Sequence, residues 1–278
     1  MAERSATHVT LQPHRTRSWS HLVLYTMTAL VYAYLFAPII VVVIASFNAS
    51  GLTSFPPTGF TVAWYHELLR DGDLLRALRT SLLVATTTAF LTILFATLTA
   101  LGLVRLPSRW RRLLQAGFYL PVVVPGIVTG IALVFWFKRI GVPLGFPSVL
   151  IAHIVHAFPY ALAIVLSAFS GFDRRLEEAS QDLGASPWRT FWRVTFPLIF
   201  PELVAGFLLA FTLSFDEFVL TFFVTGSGVI TLPLEIYSRI RFLISPVVNA
   251  VAAFVLLVSM GLALAVQLLV LLRARRAA

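Results

Sequence analysis

Thr80–Val104 reads TSLLVATTTAFLTILFATLTALGLV and contains no charged residue. A helix needs about 20 predominantly apolar residues to cross the hydrocarbon core of a bilayer, and this stretch meets that length. The pattern recurs on both sides of it. Leu113–Phe137, Ile140–Phe172 and Phe242–Leu272 are also free of charged residues, and Leu22–Phe47 is the apolar part of an earlier segment. Ile199–Phe222 is equally long and apolar but carries Glu202, Asp216 and Glu217. The sequence therefore predicts an all-α membrane protein with six transmembrane helices. Leu22–Phe47 exceeds the roughly 7–15-residue core of a secretory signal and is expected to be a retained anchor.

Composition agrees. The chain is 59% hydrophobic and 12% charged, with a mean hydropathy of +0.89, whereas soluble domains carry about 25% charged residues. The net charge of +9 sits on arginines that flank apolar spans, which argues for membrane orientation and not for nucleic acid. With the N-terminus inside, 14 basic residues fall on inner segments and 7 on outer ones. That bias favours both termini in the cytoplasm. The domain layout follows: a tail over 1–21, a transmembrane domain over 22–272 and a short tail over 273–278. Cysteine is absent, so no disulfide or thiolate chemistry is available.

Two outer segments are long. Asn48–Arg79 is expected to end in an amphipathic helix with Trp64, Leu68, Leu75 and Leu78 on its apolar side. Thr225–Pro246 contains Gly226, Gly228 and Pro233. The inner segment Phe172–Pro197 reads FDRRLEEASQDLGASPWRTFWRVTFP. Asp173 can cap a first helix running to about Leu183, with Leu176, Ala179 and Leu183 as its apolar stripe. Gly184 stands where a helix ends in a left-handed residue. Ser186-Pro187 then starts a second helix as N-cap and N1, with Trp188, Phe191, Trp192 and Thr195 on one face and Pro197 closing it. Such helices either lie on the bilayer or dock in a groove of a soluble partner.

The loop resembles the signature of permease subunits of bacterial ATP-binding-cassette importers, in which Glu-Ala-Ala, three residues, Gly, nine residues and Ile-x-Leu-Pro follow one another. Here the elements are Glu178-Ala179-Ser180, Gly184 and Val194-Thr195-Phe196-Pro197. The spacing is kept, with Ser180, Val194 and Phe196 as departures. The resemblance implies the type I ABC importer permease fold, with this loop fitting a groove on the ATPase. Glu178 and Gly184 carry over by position, and Ala179, Pro187, Trp188, Phe191 and Pro197 complete the candidate coupling set.

Tyr119–Leu133 (YLPVVVPGIVTGIAL), Leu208–Gly226 (LLAFTLSFDEFVLTFFVTG), Leu232–Arg241 (LPLEIYSRIR) and Ser245–Ala252 (SPVVNAVA) are similar to the second permease subunit of spermidine/putrescine-type importers. That similarity implies a multi-pass protein of the bacterial inner membrane. It further implies that the chain forms half of a path for a small organic solute, a polyamine or related amine, in a family that also carries opines and aminophosphonates. The implied partners are an ABC ATPase dimer, a second permease subunit in a heterodimer, and an extracytoplasmic solute-binding protein. ATP-Mg belongs to the ATPase, so no cofactor is expected in this chain.

Acidic residues within a span are costly and invite a functional reading. On a helix Asp216 lies within about 40° of Glu202, and Glu217 within about 60°. Asp216 and Glu217 could form a negative stretch along the substrate path, or could pair with arginines or the partner permease; both readings stay open. In the third span Pro125 and Gly126 mark a hinge or path lining, while Gly126 and Gly130 also form a small-xxx-small packing pair. His153 and His156 are too few for a metal site and are expected to hydrogen-bond another helix.

Catalytic signatures are missing. Lys138 is the sole lysine and follows Phe137, so no Gly-Lys-Ser/Thr P-loop exists, and neither His-Glu-x-x-His nor Gly-x-Ser-x-Gly occurs. The chain is therefore expected not to be an enzyme. An ion-driven secondary transporter of a cationic solute is the alternative, but no matching broken helices appear in two halves.

Overall fold

The computed structural model describes residues 17–50, 56–242 and 246–277. Among them the chain is helical, with one isolated bridge between Asn48 and Phe60 and no strand. The helices are α1 (Arg17–Ser46), α2 (Ala63–Leu68), α3 (Gly72–Leu103), α4 (Ser108–Val123), α5 (Gly126–Ile140), α6 (Phe146–Gly171), α7 (Arg175–Asp182), α8 (Pro187–Thr190), α9 (Phe196–Phe215), α10 (Val219–Val224), α11 (Leu232–Phe242) and α12 (Pro246–Ala277). A π-helical turn, Phe191–Thr195, joins α8 to α9.

Four stretches are long and apolar enough to cross a membrane among the described residues: His21–Ser46 of α1, α3, α6, and the run Pro187–Phe215. A fifth is obtained if α4 and α5 form one broken span, and Pro246–Gly261 of α12 is apolar but shorter. Residues 1–16 of the expected front tail lie outside the described residues, as does Ser245 ahead of the last helix. The backbone of α12 continues as helix to Ala277, within the segment expected as the closing tail.

The expected single third span is instead two helices bent by 103°. Proline has no N–H to donate, and its ring pushes the preceding residue out of the helical region. Val124 accordingly sits at φ −81°, ψ 126° and Pro125 at φ −55°, ψ 137°. Two extended residues in succession break the helix, which is more than a kink. Pro121 stays inside α4.

The fifth span also differs from expectation. It stops at Phe215 and restarts as α10, and does not run unbroken to Phe222. The Glu217 carboxylate accepts the Leu220 N–H at 2.8 Å, satisfying a donor at the start of α10 in the manner of a helix cap. Neither acid therefore continues the helix that carries Glu202. The amphipathic helix expected across Trp64–Leu78 is divided too: Leu68 ends α2, and Leu75 and Leu78 belong to α3. The reason is Asp71, which caps α3 by accepting the N–H groups of Asp73 and Leu74, both at 3.1 Å.

The helices form two compact units. In the first, α1 packs with α12. The turn after α1 is held by the Ser46 and Tyr65 hydroxyls at 2.7 Å and by Trp64 Nε1, which donates to the Asn48 carbonyl at 2.8 Å. In the second, α3, α6 and α9 form the central bundle. Helices in lipid gain little from hiding apolar surface from each other and associate through close packing of small residues. Ala89, Ala157 and Ala210 meet in that way, each fully buried. Gly206 brings α9 so near α3 that a Cβ there would stand 2.7 Å from Ile93 Cδ1.

Candidate functional site

The loop after α6 forms two helices at a steep turn. Asp173 Oδ1 accepts the Arg175 N–H at 3.0 Å, and α7 begins at Arg175, two residues after the expected cap. Gly184 has φ +86°, and an added Cβ would meet nothing within 4 Å. Glycine is thus required by backbone handedness and not by space. Ser186 Oγ then accepts the Arg189 N–H at 3.3 Å, and Pro187 opens α8.

Pro197 does not close the second helix. The chain passes through the π turn, where the Phe196 N–H bonds to the Phe191 carbonyl five residues back, and continues into α9. Pro197 stands in the first turn of α9. A π turn shifts the hydrogen-bond register, so the missing proline N–H falls where the ladder is already changing. The loop and the membrane helix are therefore one continuous element from Pro187 to Phe215.

Polar contacts that the sequence reading missed hold α7 against this element. Thr195 Oγ1 donates to the Glu177 carboxylate, and the Ser180 and Thr190 hydroxyls lie 3.1 Å apart. Arg174 donates to the Val104 carbonyl beyond α3 at 2.7 Å. The adjacent acids thus have different environments: Glu177 is part-buried and engaged inside, while Glu178 is exposed. The only hint in the sequence was the pair of threonines, whose five-residue spacing places them on one side only across a π turn.

Two of the hollows beside the loop differ in their lining. One, of about 500 Å³, is lined by Leu176, Ala179, Leu183, Gly184 and Val194, with Arg189 and Arg193 beside them. Leu183 is 90% exposed there. The other, of about 570 Å³, lies between α3 and the aromatic face, where Trp188, Phe191, Trp192 and Phe196 face Phe90 and Leu94. The apolar stripe of α7 and the aromatic residues from Trp188 to Phe196 thus serve different faces.

A second candidate region surrounds the break between α9 and α10. Buried His153 spans it, with Nδ1 2.8 Å from Ser214 Oγ and Nε2 2.8 Å from Thr221 Oγ1. These are the interhelical hydrogen bonds expected of that histidine. His156 Nε2 lies 3.4 Å from Glu217 Oε2. Glu217 is therefore engaged twice, by His156 and by the Leu220 N–H. Asp216 is exposed, and its carboxylate has no hydrogen bond or ion pair among the described residues. Glu202 is separate from both, with Oε2 buried and without a hydrogen-bond partner among the described residues. No group of three His, Asp or Glu side chains among the described residues could hold a metal.

The other broken span meets this one. A Cβ on Gly126 would lie 3.6 Å from Val219 Cγ1, and one on Gly130 would lie 2.8 Å from Phe223 Cδ2. Both glycines pack α5 on α10, and Pro125 supplies the break. Beyond α10, the chain is tied to the start of α3. Arg239 donates to both Asp71 oxygens at 2.6 and 3.0 Å and to Glu235 at 2.7 Å. The Arg239 guanidinium holds the Asp71 carboxyl below the usual carboxylate range. The Leu232 N–H donates to Ser81 Oγ at 2.8 Å.

Residues 92–277 match a family model described as the inner membrane component of binding-protein-dependent transport systems. The chain is 39% identical over 243 residues to the spermidine/putrescine transport system permease protein PotC of Escherichia coli (strain K12), covering 87% of this chain and 91% of that one. It is 36% identical over 233 residues to the putrescine transport system permease protein PotI of the same strain, covering 81% and 82%. A chain in the crystal structure of a bacterial ABC transporter that imports the acidic polysaccharide alginate superposes with a TM-score of 0.75 at 15% identity, covering 93% of this chain and 99% of that one. The last likeness is one of fold.

Proposed function

The chain belongs to the family of inner membrane components of binding-protein-dependent transport systems, and from that premise we propose that it carries a polyamine or a related amine. It is the permease subunit of an ABC importer and a multi-pass inner membrane protein, not an enzyme; ATP hydrolysis falls to a separate ATPase. In the proposed assembly a second, non-identical permease completes the path. An ATPase dimer binding ATP-Mg drives it, and an extracytoplasmic solute-binding protein delivers the solute. Six spans with both termini in the cytoplasm put the α7–α8 loop on the ATPase side.

The observation that carries the mechanism is the continuity of α8 with α9. Glu178, Ala179, Gly184 and Leu183 present the docking surface, Pro187 starts the rigid lever, and Pro197 sits within it. Force applied to the loop when the ATPases close is then transmitted along Pro187–Phe215 to Ser214 and the Asp216–Glu217 break. The amine reading is supported by the likeness to PotC and PotI, which are permeases of spermidine/putrescine and putrescine transport systems, and by the Asp216 carboxylate at that break, which has no partner among the described residues. Pro125 and Gly126 border the same place from the third span.

The direct test is uptake of labelled putrescine and spermidine by cells lacking other polyamine importers. These cells would express this chain with its companion subunits. ATP-dependent accumulation supports the reading. Accumulation of neither amine, in a complex that hydrolyses ATP when its binding protein is added, would remove the amine assignment and leave the permease one.

A further inference from the structure

The α10–α11 end of the second unit carries an aromatic cluster that packing alone leaves unexplained. Tyr237 of α11 lies 4.7 Å, ring centre to ring centre, from Phe218 and 6.1 Å from Phe222. Phe218 and Phe222 are 5.7 Å apart. Phe222 and Tyr237 remain 46% and 42% exposed, so ring faces are available to a ligand. Phe218 follows Asp216 by two residues, which bounds their Cα separation at about 7 Å. Phe218 therefore ties the cluster to the chain next to Asp216, the acid of the break whose carboxylate has no partner among the described residues.

From this juxtaposition we infer that Tyr237, Phe218 and Phe222 form an aromatic wall which, with Asp216, binds the ammonium group of the transported solute. The inference deepens the amine-importer reading and rests on it. An ammonium group is held by ring faces within about 6 Å and by a carboxylate, and the cluster offers both. Arg239, on the same helix as Tyr237, is engaged by Asp71 and Glu235. The same clamp, with the Ser81–Leu232 bond, fixes α11 and so the position of Tyr237. Phe222 is edge-on to Phe223, which packs beneath Gly130, so the wall is braced from α5 as well. A lipid-facing aromatic belt makes a competing prediction.

The test uses the full transporter in proteoliposomes, with putrescine as the probe delivered by its binding protein. Tyr237→Leu removes the ring and is expected to raise KM about three- to tenfold, with a smaller change in kcat. Tyr237→Phe keeps the ring and should restore KM to near the wild-type value. Phe222→Leu gives the same comparison independently if Tyr237→Leu does not assemble. An unchanged KM in both leucine variants, as a lipid belt requires, overturns the inference. So does an equal loss in Tyr237→Phe, which would assign the effect to the hydroxyl. A wild-type complex that turns over ATP but moves neither putrescine nor spermidine would instead sink the amine reading beneath it.

Discussion

Gly126 and Val219, the first residues of the helices that restart the two broken spans, abut each other: a Cβ on Gly126 would lie 3.6 Å from Val219 Cγ1. The Pro125 break in one span and the Asp216–Glu217 break in the other thus occupy one neighbourhood. Irregular backbone at membrane depth is tolerated where protein or a water-filled cavity covers it. Placing both breaks together confines that cost to one region, the one assigned to the substrate.

Within that region the two adjacent acids should separate in function. Asp216→Asn is expected to lower uptake of a cationic solute severalfold while leaving the melting temperature of the purified complex unchanged. Glu217→Gln should lower the melting temperature by a few degrees, because it weakens the His156 contact and the bond to the Leu220 N–H. Indistinguishable behaviour of the two variants in both assays would contradict the division of roles.

His153 joins Ser214 and Thr221 across the same break. Replacing it with Leu removes both bonds and leaves the buried Ser214 hydroxyl unpaired, while the Thr221 hydroxyl keeps its bond to the Glu217 carbonyl at 2.9 Å, at a cost of about 1–3 kcal/mol. A drop in thermal stability in detergent checks this, and wild-type stability of His153→Leu would show that the bridge contributes nothing.

The Asp71–Arg239 clamp predicts a pH dependence. The Asp71 carboxyl titrates lower in the folded chain than when unfolded, so its contribution is fully present above the ordinary carboxylate value of about 4. The contribution is lost as pH falls through the lowered folded value. Melting curves between about pH 3 and 6 should therefore steepen in the wild type relative to Asp71→Asn. Parallel curves would remove the clamp from the stability account.

Glu177 and Glu178 should also differ. Glu177→Gln weakens the Thr195 contact that fixes α7 and should loosen the loop, seen as faster proteolysis at Leu183–Ala185. Glu178→Gln should leave the loop as resistant as wild type and weaken ATPase association in a pull-down. The reverse pattern would exchange their roles.

Much of this was legible in the sequence. The spans follow from charge-free runs such as Thr80–Val104, and Gly184 and Ser186-Pro187 announce their turn because backbone handedness and capping are local properties. The two helix breaks were only half visible. Pro125 signals a kink, but a 103° bend also depends on the extended Val124. The end of α9 depends on where the Glu217 carboxylate reaches, which no periodicity records. Pro197 misled for a related reason: it ends an α-helix only if the register before it is α, and the π turn changes that register. The Arg239 clamp joins residues far apart in sequence and carried no local signal.

The central claim is that the α7–α8 loop couples ATP hydrolysis to transport, and Gly184 tests it most directly. At φ +86° a branched residue is strained by about 1–2 kcal/mol or more, while no neighbour would be struck. Gly184→Val, reconstituted with its ATPase, partner permease and binding protein, should insert and assemble normally but lose at least about tenfold in ATP-driven uptake. Uptake at the wild-type rate by that variant would contradict the account.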